Sequence, residues 1–342
     1  HAMRGARVGL VGLAMGWACA AAVAVAATPV KAPPPRPVVF APIVVQGARA
    51  TPAIWELRKG NKTLWILGTL YPVPKGVDWD PAPIRTRVAV SQVVLGPMGM
   101  SVGENIGFVR GLFLLPALRR SRFNPDGRTL HDVLPPATYA RWESARARFL
   151  PEADDVERFR PIYAAFELDN AAIARAGLEP PRRKSIVEEA ARRYGVPIVD
   201  VRLKVRIDAP RKALKQFNAS QLDDARCLEE TLDRIDHDLV KMRERAEAWA
   251  AGDVERLRTL PVREQWETCL TAFGSTDVAR QHGVSNVPRQ MEARWLAEAR
   301  KALATHDRVF STLPVSLLLR PEGLLGALRK DGYVVIAEGG VR

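Results

Sequence analysis

Histidine is scarce in this chain, with only five in 342 residues, and the motifs that would make a few histidines catalytic are missing. No His-Glu-x-x-His pattern occurs, which excludes the helical zinc site of many metalloproteases. Neither a P-loop nor a Gly-x-Gly-x-x-Gly fingerprint is present, so no nucleotide-binding loop can be assigned. Any chemistry must therefore come from residues that the fold brings together.

Acidic residues are absent from the first 50 positions. Arg4 and Arg7 precede an almost uncharged apolar stretch over residues 8–27, which ends in alanines that supply an Ala-x-Ala type cleavage site. This pattern predicts a signal peptide over residues 1–27 and therefore a periplasmic or secreted protein. Retention of the stretch as a membrane anchor is the alternative, because twenty apolar residues can just span a bilayer.

Residues 28–50 contain six prolines and no periodic apolar pattern, which predicts an extended tether. Residues 51–342 then form one folded domain with no transmembrane segment after signal cleavage. Five of the 51 basic residues lie before position 51, leaving 46 against 38 acidic ones, a net charge of +8. In an exported protein this excess favours an envelope protein or an anionic glycan or lipid as partner over nucleic acid, although simple solubility also explains it.

Cysteine is even scarcer than histidine, and only Cys227 and Cys269 of three remain once the signal is removed. An even number of cysteines in a compartment that oxidises thiols predicts a Cys227–Cys269 disulfide between two helices. Its role is structural, because neither cysteine has a neighbouring histidine that would activate a thiolate.

Strand patterns lie at both ends of the domain and helical patterns between them. Two short runs around Gly60-Asn61 predict a hairpin, with further strands at 93–95, 198–200, 309–315 and 333–337. Helices are predicted at 81–91, 136–149, 160–176, 187–194, 221–251, 253–258, 261–273, 286–305 and 321–330. The sequence thus predicts a mixed α/β (α+β) fold, with a central sheet built from both halves of the chain and a helical middle as a cap.

Glycines recur at positions 99, 103, 107 and 111, where a helix would place them on one face. A closely packed helix and a mobile flap both fit this spacing. The following stretch, Phe108 to Leu118, is strongly apolar and is expected to pack against the core.

Apolar and basic residues alternate from Val201 to Ile207, which predicts a strand with one basic face. Arg202, Lys204 and Arg206 form that face, and Arg211, Lys212 and Lys215 follow closely. These side chains are the candidates for binding an anionic polysaccharide or lipid, while a solvated face that protects a sheet edge is the alternative.

Both ends of the domain resemble the TraB/GumN family, which is related to Tiki-type metalloproteases. The resemblance covers most of residues 52–337 and rests on the Trp55 strand, the run Leu64 to Leu70, Asp78-Trp79, Leu317-Leu318, Gly323-Leu324-Leu325, Leu328 and Gly332-Tyr333-Val334-Val335. It implies a cleft at strand ends where histidines of two Gly-x-x-His motifs and a glutamate hold a divalent metal that activates water.

The sequence departs from the implied ligand set at each position. Gly68 and Thr69 match the first motif, but Tyr71 replaces its histidine, and Gly96 stands where the glutamate is expected. The second motif aligns to Pro314 and Leu317, so its glycine and its histidine are both replaced. A phenol, a hydrogen and an isobutyl group cannot replace two imidazoles and a carboxylate as a metal site, so we expect no cofactor.

Substitute catalytic residues are not evident elsewhere. Asp233 and His237 share one helical face and have the spacing to bind a metal, but a solvated helix flank explains them better. Ser316 follows a predicted strand without a nearby histidine to activate it.

Three functional hypotheses follow. The first is an exported, non-catalytic binding or regulatory protein of the cell envelope, a pseudoenzyme that has lost its metal centre. The second is a metal-dependent, peptidase-like hydrolase with ligands at other positions. The third is a binder of anionic polysaccharide or lipid.

Overall fold

A computed structural model describes residues 50–74, 79–179, 185–260 and 265–337 of the chain. The predicted signal peptide and all of the tether except its last residue lie outside the described residues. The strands are β1 (Ile54–Lys59), β2 (Lys62–Thr69), β3 (Val73–Pro74), β4 (Val93–Leu95), β5 (Met100–Val102), β6 (Leu178–Glu179), β7 (Ile198–Val199), β8 (Leu203–Val205), β9 (Arg308–Pro314) and β10 (Val334–Ala337).

Helices make up most of the rest. The first eight are α1 (Ala82–Val90), α2 (Phe108–Leu112), α3 (Leu115–Arg120), α4 (Leu130–Val133), α5 (Pro136–Phe149), α6 (Pro161–Arg175), α7 (Ile186–Tyr194) and α8 (Pro210–Ala219). They are followed by α9 (Ala225–His237), α10 (Leu239–Ala250), α11 (Val254–Thr259), α12 (Gln265–Gly274), α13 (Asp277–Gln281), α14 (Val287–Thr305), α15 (Val315–Leu318) and α16 (Leu324–Lys330). No helix in the described ranges is long and apolar enough to cross a bilayer.

The central sheet has six strands in the order β10-β1-β2-β9-β4-β7. The β1–β2 hairpin and the β1–β10 pair are antiparallel, whereas β2, β9, β4 and β7 run parallel. Because β2 pairs with β9, the two ends of the domain meet in the middle of the sheet. The predicted mixed α/β fold, with a sheet assembled from both halves, is confirmed.

Helices cover both faces of the sheet, since successive strand residues point to opposite sides. On one face Leu64 and Ile66 pack with Trp295 of α14 and Leu328 of α16. On the other face Leu67 joins a cluster that includes residues of α1 and α7. A separate helical core unites α5, α6 and α9, which together form the predicted cap.

The predicted disulfide is confirmed. Cys227 of α9 and Cys269 of α12 are bonded, with their Cα atoms 4.7 Å apart, and both side chains are buried. The disulfide therefore links α12 covalently to α9 of the helical core.

Two predictions in the middle of the domain are wrong. The glycines from 99 to 111 do not share a helix: Gly103 has a left-handed φ of 72° in the turn after β5, and α2 begins only at Phe108. The stretch Phe108 to Leu118 does not pack against the core, because only Leu114 in it is seen to be buried. Hydrophobicity led to the second error, because it records how apolar a segment is but not which surface the segment meets.

Two elements are shorter than predicted. The long helix predicted over 221–251 is divided at Asp238 into α9 and α10. The carboxylate of Asp238 accepts a hydrogen bond from the buried guanidinium of Arg245 (Nη1 to Oδ2 2.9 Å). The predicted strand over 201–207 contracts to β8, which pairs with β5 instead of the central sheet.

Candidate functional site

The four parallel strands of the central sheet end at one edge, which is where ligands gather in open α/β sheets. β2 and β9 end in register, with Thr69 opposite Pro314. Gly96 follows β4 directly, and its backbone N–H donates to the carbonyl of Val199 at the end of β7 (2.8 Å). The strands that carry the predicted motif positions therefore end together, although their side chains serve different purposes.

Gly68 is required by packing. A Cβ atom built on it would lie 2.5 Å from the ring of Trp55 and 2.9 Å from Val315 Cγ2, distances that real Cβ atoms essentially never show. Its carbonyl accepts a hydrogen bond from the indole Nε1 of Trp249 (2.8 Å) in α10. Gly68 thus lets a β-strand, a tryptophan and a covering helix approach each other at the sheet edge.

Gly96 and Leu317 belong to the packed interior. Gly96 is buried, and a Cβ on it would sit 3.2 Å from the carbonyl of Val199. Leu317 in α15 is 2% exposed and lies in the same apolar cluster as Leu70. A charged or imidazole side chain at either position would need space that this chain fills with hydrocarbon or backbone.

Tyr71 faces an ion pair contributed by the helical middle. Its ring centroid lies 5.7 Å from the guanidinium carbon of Arg234 in α9. Arg234 Nη1 is 3.4 Å from Asp169 Oδ1 in α6, and the two charged side chains are only 5% and 7% exposed. The position expected for a metal-binding imidazole therefore holds a phenol next to a buried cation that is paired with a carboxylate.

The environment keeps Tyr71 neutral. Burial raises the pKa of its phenol, the charge of Asp169 raises that pKa further, and Arg234 opposes the rise. A neutral phenol is a poor metal ligand compared with a phenolate or an imidazole. The residue therefore offers its ring to Arg234 and its hydroxyl as an ordinary hydrogen-bonding group.

Arg234 has hydrogen-bonding capacity left over. Its Nε and Nη2 atoms are buried and have no hydrogen-bond partner within the described ranges. Buried guanidinium nitrogens are normally satisfied, so unpaired ones in a native fold call for an explanation.

The donor set at this edge does not suit a divalent metal. Zinc sites use three or four imidazole, thiolate or carboxylate ligands. This edge offers the phenol of Tyr71 and two carboxylates, Asp169 of α6 and Asp200 after β7, each of which is already ion-paired. Across the described parts of the chain, no group of three or more histidine, cysteine, aspartate or glutamate side chains is arranged to hold a metal ion.

The family model described as the TraB/PrgY/gumN family matches residues 53–337. The chain belongs to this family. No curated protein and no solved structure matched the chain. The sequence resemblance to the TraB/GumN family is therefore confirmed over nearly the whole domain.

The basic face predicted for this family member is partly neutralised. Arg202 binds Asp200 (Nε to Oδ1 2.9 Å) and Glu104 (Nη2 to Oε1 3.0 Å). Lys204 Nζ is 3.2 Å from a carboxylate oxygen of each of the same two residues. The hydrogen bond from Arg202 lowers the pKa of Asp200, and hydrogen bonds from Ser101 and then Lys204 lower that of Glu104. Among the described residues of β8 and its flanks, Arg206 is an exposed cation without such a pair.

Asp200 is an acidic residue at the strand-end edge, directly after β7. Asp200 was not among the site residues predicted from the sequence. Its carboxylate is held in the ion-pair cluster with Arg202 and Lys204, so it is not presented as a metal ligand.

Two of the other sequence candidates, Asp233 and His237, are held in structural contacts. Asp233 accepts a hydrogen bond from Arg141 (2.8 Å), and the ring Nδ1 of His237 lies 3.2 Å from the backbone carbonyl of Asp233. Ser316 follows β9 at the strand-end edge, whereas His306 lies before the other end of this seven-residue strand. A strand of that length spans about 20 Å, so His306 cannot activate Ser316.

Residues 99–103 read Gly-Met-Ser-Val-Gly and have the spacing of the nucleophile-elbow motif, which sequence reasoning overlooked. The motif works by exposing its serine on a sharp strand-to-helix turn. Here Ser101 lies in the middle of β5, and its hydroxyl bonds to Glu104. The structural context of a nucleophile is therefore not met.

Proposed function

We propose that this member of the TraB/PrgY/gumN family has lost the metal-dependent centre that the family resemblance implies. It acts as a non-catalytic binding or regulatory protein of the cell envelope. The observation that carries the proposal is the contact between Tyr71 and the buried Arg234–Asp169 pair at the end of β2.

The electrostatics of this contact argue against a bound divalent cation. A guanidinium already supplies one positive charge there, and the facing carboxylate balances it. A second cation placed beside a buried guanidinium would be repelled strongly, because charges interact more strongly in the low dielectric of a protein interior than in water. The same arrangement favours an anionic or hydrogen-bond-accepting group, which the unpaired Nε and Nη2 of Arg234 would recognise.

Export is part of the proposal and rests on two independent features. Arg4, Arg7 and the apolar residues 8–27 have the pattern of a signal peptide. The Cys227–Cys269 disulfide is typical of compartments that oxidise thiols. Cell fractionation followed by N-terminal sequencing tests this: recovery from the periplasm or medium with a new terminus after residue 26 or 27 is expected, and an unprocessed cytoplasmic chain would contradict it.

Metal-dependent thermal shift tests the loss of the metal centre. The protein beginning at Thr28 and a His131→Gln control are each titrated with zinc, manganese and cobalt. We expect no metal to raise the melting temperature of the protein more than it raises that of the control. His131 is an exposed residue 3.7 Å from Asp132 and is the kind of surface pair that binds zinc adventitiously.

A specific rise in melting temperature would favour the alternative of a hydrolase with ligands at other positions. Asp169→Asn and Asp200→Asn would then identify the ligands, since each removes one carboxylate near the strand ends while keeping its shape. Stabilisation by metal that either substitution abolishes would overturn the proposal.

A further inference from the structure

An apolar surface on α2 and α3 has no counterpart in the rest of the described chain. Its members are large side chains that are all exposed, among them Phe108 at 82% and Phe113 at 69%; we call Phe108, Leu112, Phe113, Leu115 and Leu118 the α2–α3 surface. Five such side chains within eleven residues exceed the isolated exposed apolar residues that are normal on proteins.

The surface is held in place by the fold. Leu114 between the two helices is 4% exposed and anchors them. Helix α8 packs on α3, where Asn218 donates to the carbonyl of Ala117 (3.2 Å). The buried Arg160 binds the carbonyl of Ser121 just after α3 (3.1 Å). The apolar side chains are therefore presented outward by an anchored segment.

Exposed cations lie on α3, which carries part of this surface, and on α8, which packs against α3. Residues 105–125 contain no aspartate or glutamate, and Arg119 and Arg120 lie exposed at the end of α3. Residues 209–222, which include α8, also lack acids and expose three further cations, Arg211, Lys212 and Lys215.

These five cations differ from those on β8. Arg202 and Lys204 are bound to two carboxylates each. None of the five beside α2 and α3 pairs with a carboxylate within the described residues, so their charge is available to an anionic partner.

We propose that the α2–α3 surface docks on the anionic face of a lipid bilayer, with Phe108 and Phe113 entering the interface and the cations of α3 and α8 contacting lipid head groups. Exposed aromatic and leucine side chains flanked by basic residues are what an interfacial anchor requires. A surface that binds another protein would be expected to have a polar rim with residues of both charges around its apolar centre. The proposal is independent of the strand-end site, because it uses different residues.

Vesicle co-sedimentation tests the proposal with the protein beginning at Thr28, which includes every described residue. Vesicles of one part phosphatidylglycerol to two parts phosphatidylcholine are compared with phosphatidylcholine alone. We expect binding to the anionic vesicles that weakens with added salt and is much lower on neutral ones.

Two variants and their matched controls separate the contributions. Phe108→Ser with Phe113→Ser is expected to weaken binding at least about tenfold, because two aromatic rings no longer enter the interface. Arg119→Gln with Arg120→Gln is expected to weaken it by about fivefold per charge. Val240→Ser, at a 60% exposed valine elsewhere, and Arg85→Gln with Lys301→Gln, at exposed cations elsewhere, should bind like the wild type.

A fluorescent label at position 113 gives a second readout. In Phe113→Cys the new thiol is the only free one in this form of the protein, because Cys227 and Cys269 are bonded to each other. An environment-sensitive fluorophore there should shift to the blue with anionic vesicles, whereas a label at Val240→Cys should not.

Two results would overturn the proposal. One is failure of the wild-type protein to bind anionic vesicles. If light scattering then shows a dimer that the Phe108→Ser, Phe113→Ser variant dissociates, the surface joins two copies of the chain instead. The other is vesicle binding that both double variants retain in full.

Discussion

Breaking the Asp169–Arg234 pair tests whether the strand end is built around a buried, neutralised cation. Asp169→Asn keeps the shape of the side chain but leaves the guanidinium without its opposite charge. Since both side chains are less than a tenth exposed and approach to 3.4 Å, the substitution should lower the free energy of unfolding by about 3 kcal/mol or more. Arg234→Met, which leaves the carboxylate unbalanced, should have a similar effect.

The double variant carries the decisive comparison. Asp169→Asn with Arg234→Met removes both charges, so its destabilisation should fall short of the sum of the single ones by at least about 2 kcal/mol. Urea unfolding with an unchanged m-value measures each quantity. Glu247→Gln, at a partly exposed ion pair with Arg243 and Arg256, serves as a control and should cost about 1 kcal/mol or less.

Additivity of the two single effects within about 0.5 kcal/mol would refute the reasoning, because it would show that the two charges do not stabilise each other in the folded protein.

Three further predictions concern packing, the disulfide and a buried acid. Gly68→Ala should lower the free energy of unfolding in urea by about 1–3 kcal/mol, because the added methyl group overlaps the ring of the buried Trp55. Gly111→Ala, in a helix with open space around the glycine, is the control and should be neutral or stabilising. Equal effects of the two substitutions would contradict the packing argument. Replacing Cys227 and Cys269, which are 42 residues apart, by alanine should cost about 4 kcal/mol of unfolding free energy, measured against the oxidised parent, and a loss below about 1 kcal/mol would contradict it. Burial raises the pKa of Asp224 from 3.8 to about 6, so the folded state binds the proton more tightly than the unfolded chain and stability should fall as pH rises between these values. Asp224→Asn should remove this dependence and be more stable at pH 7 by up to about 3 kcal/mol; a less stable variant would show that the ionised carboxylate is needed.

Local patterns predicted the sheet and most helices because local chemistry determines them. The Gly60-Asn61 turn between alternating runs gave the β1–β2 hairpin, and the prolines at 135 and 136 marked the start of α5. The parallel pairing of β2 with β9 was suggested only by strand patterns at both ends of the chain. Local sequence patterns therefore predict individual strands better than they predict which strands pair.

The errors in the middle of the chain share a physical cause. Phe108 to Leu118 is apolar enough to be core, yet the sheet faces are already covered by α1, α7, α14 and α16. Hydrophobicity cannot show that a core is full, so the segment was assigned to the interior. The interruption at Asp238 was missed because the residue that binds it, Arg245, is seven positions away and wholly buried.

Only part of the candidate site was predicted from the sequence. The fold resemblance pointed to Tyr71, but Asp169 and Arg234 were overlooked because charged residues on helices usually face solvent. They are 65 residues apart in sequence and meet only when α6 packs on α9. Trp249 was likewise missed, since nothing local indicates that its indole would bond to Gly68.

The metal content of the protein purified from its native compartment tests the central claim most directly. Elemental analysis of the folded, disulfide-bonded protein, isolated without chelators or affinity tags, should give far less than one zinc, manganese, iron or cobalt ion per chain. One tightly held ion per chain, lost in the Asp169→Asn or Asp200→Asn variant but kept in His131→Gln, would contradict the loss of the metal centre and favour a hydrolase.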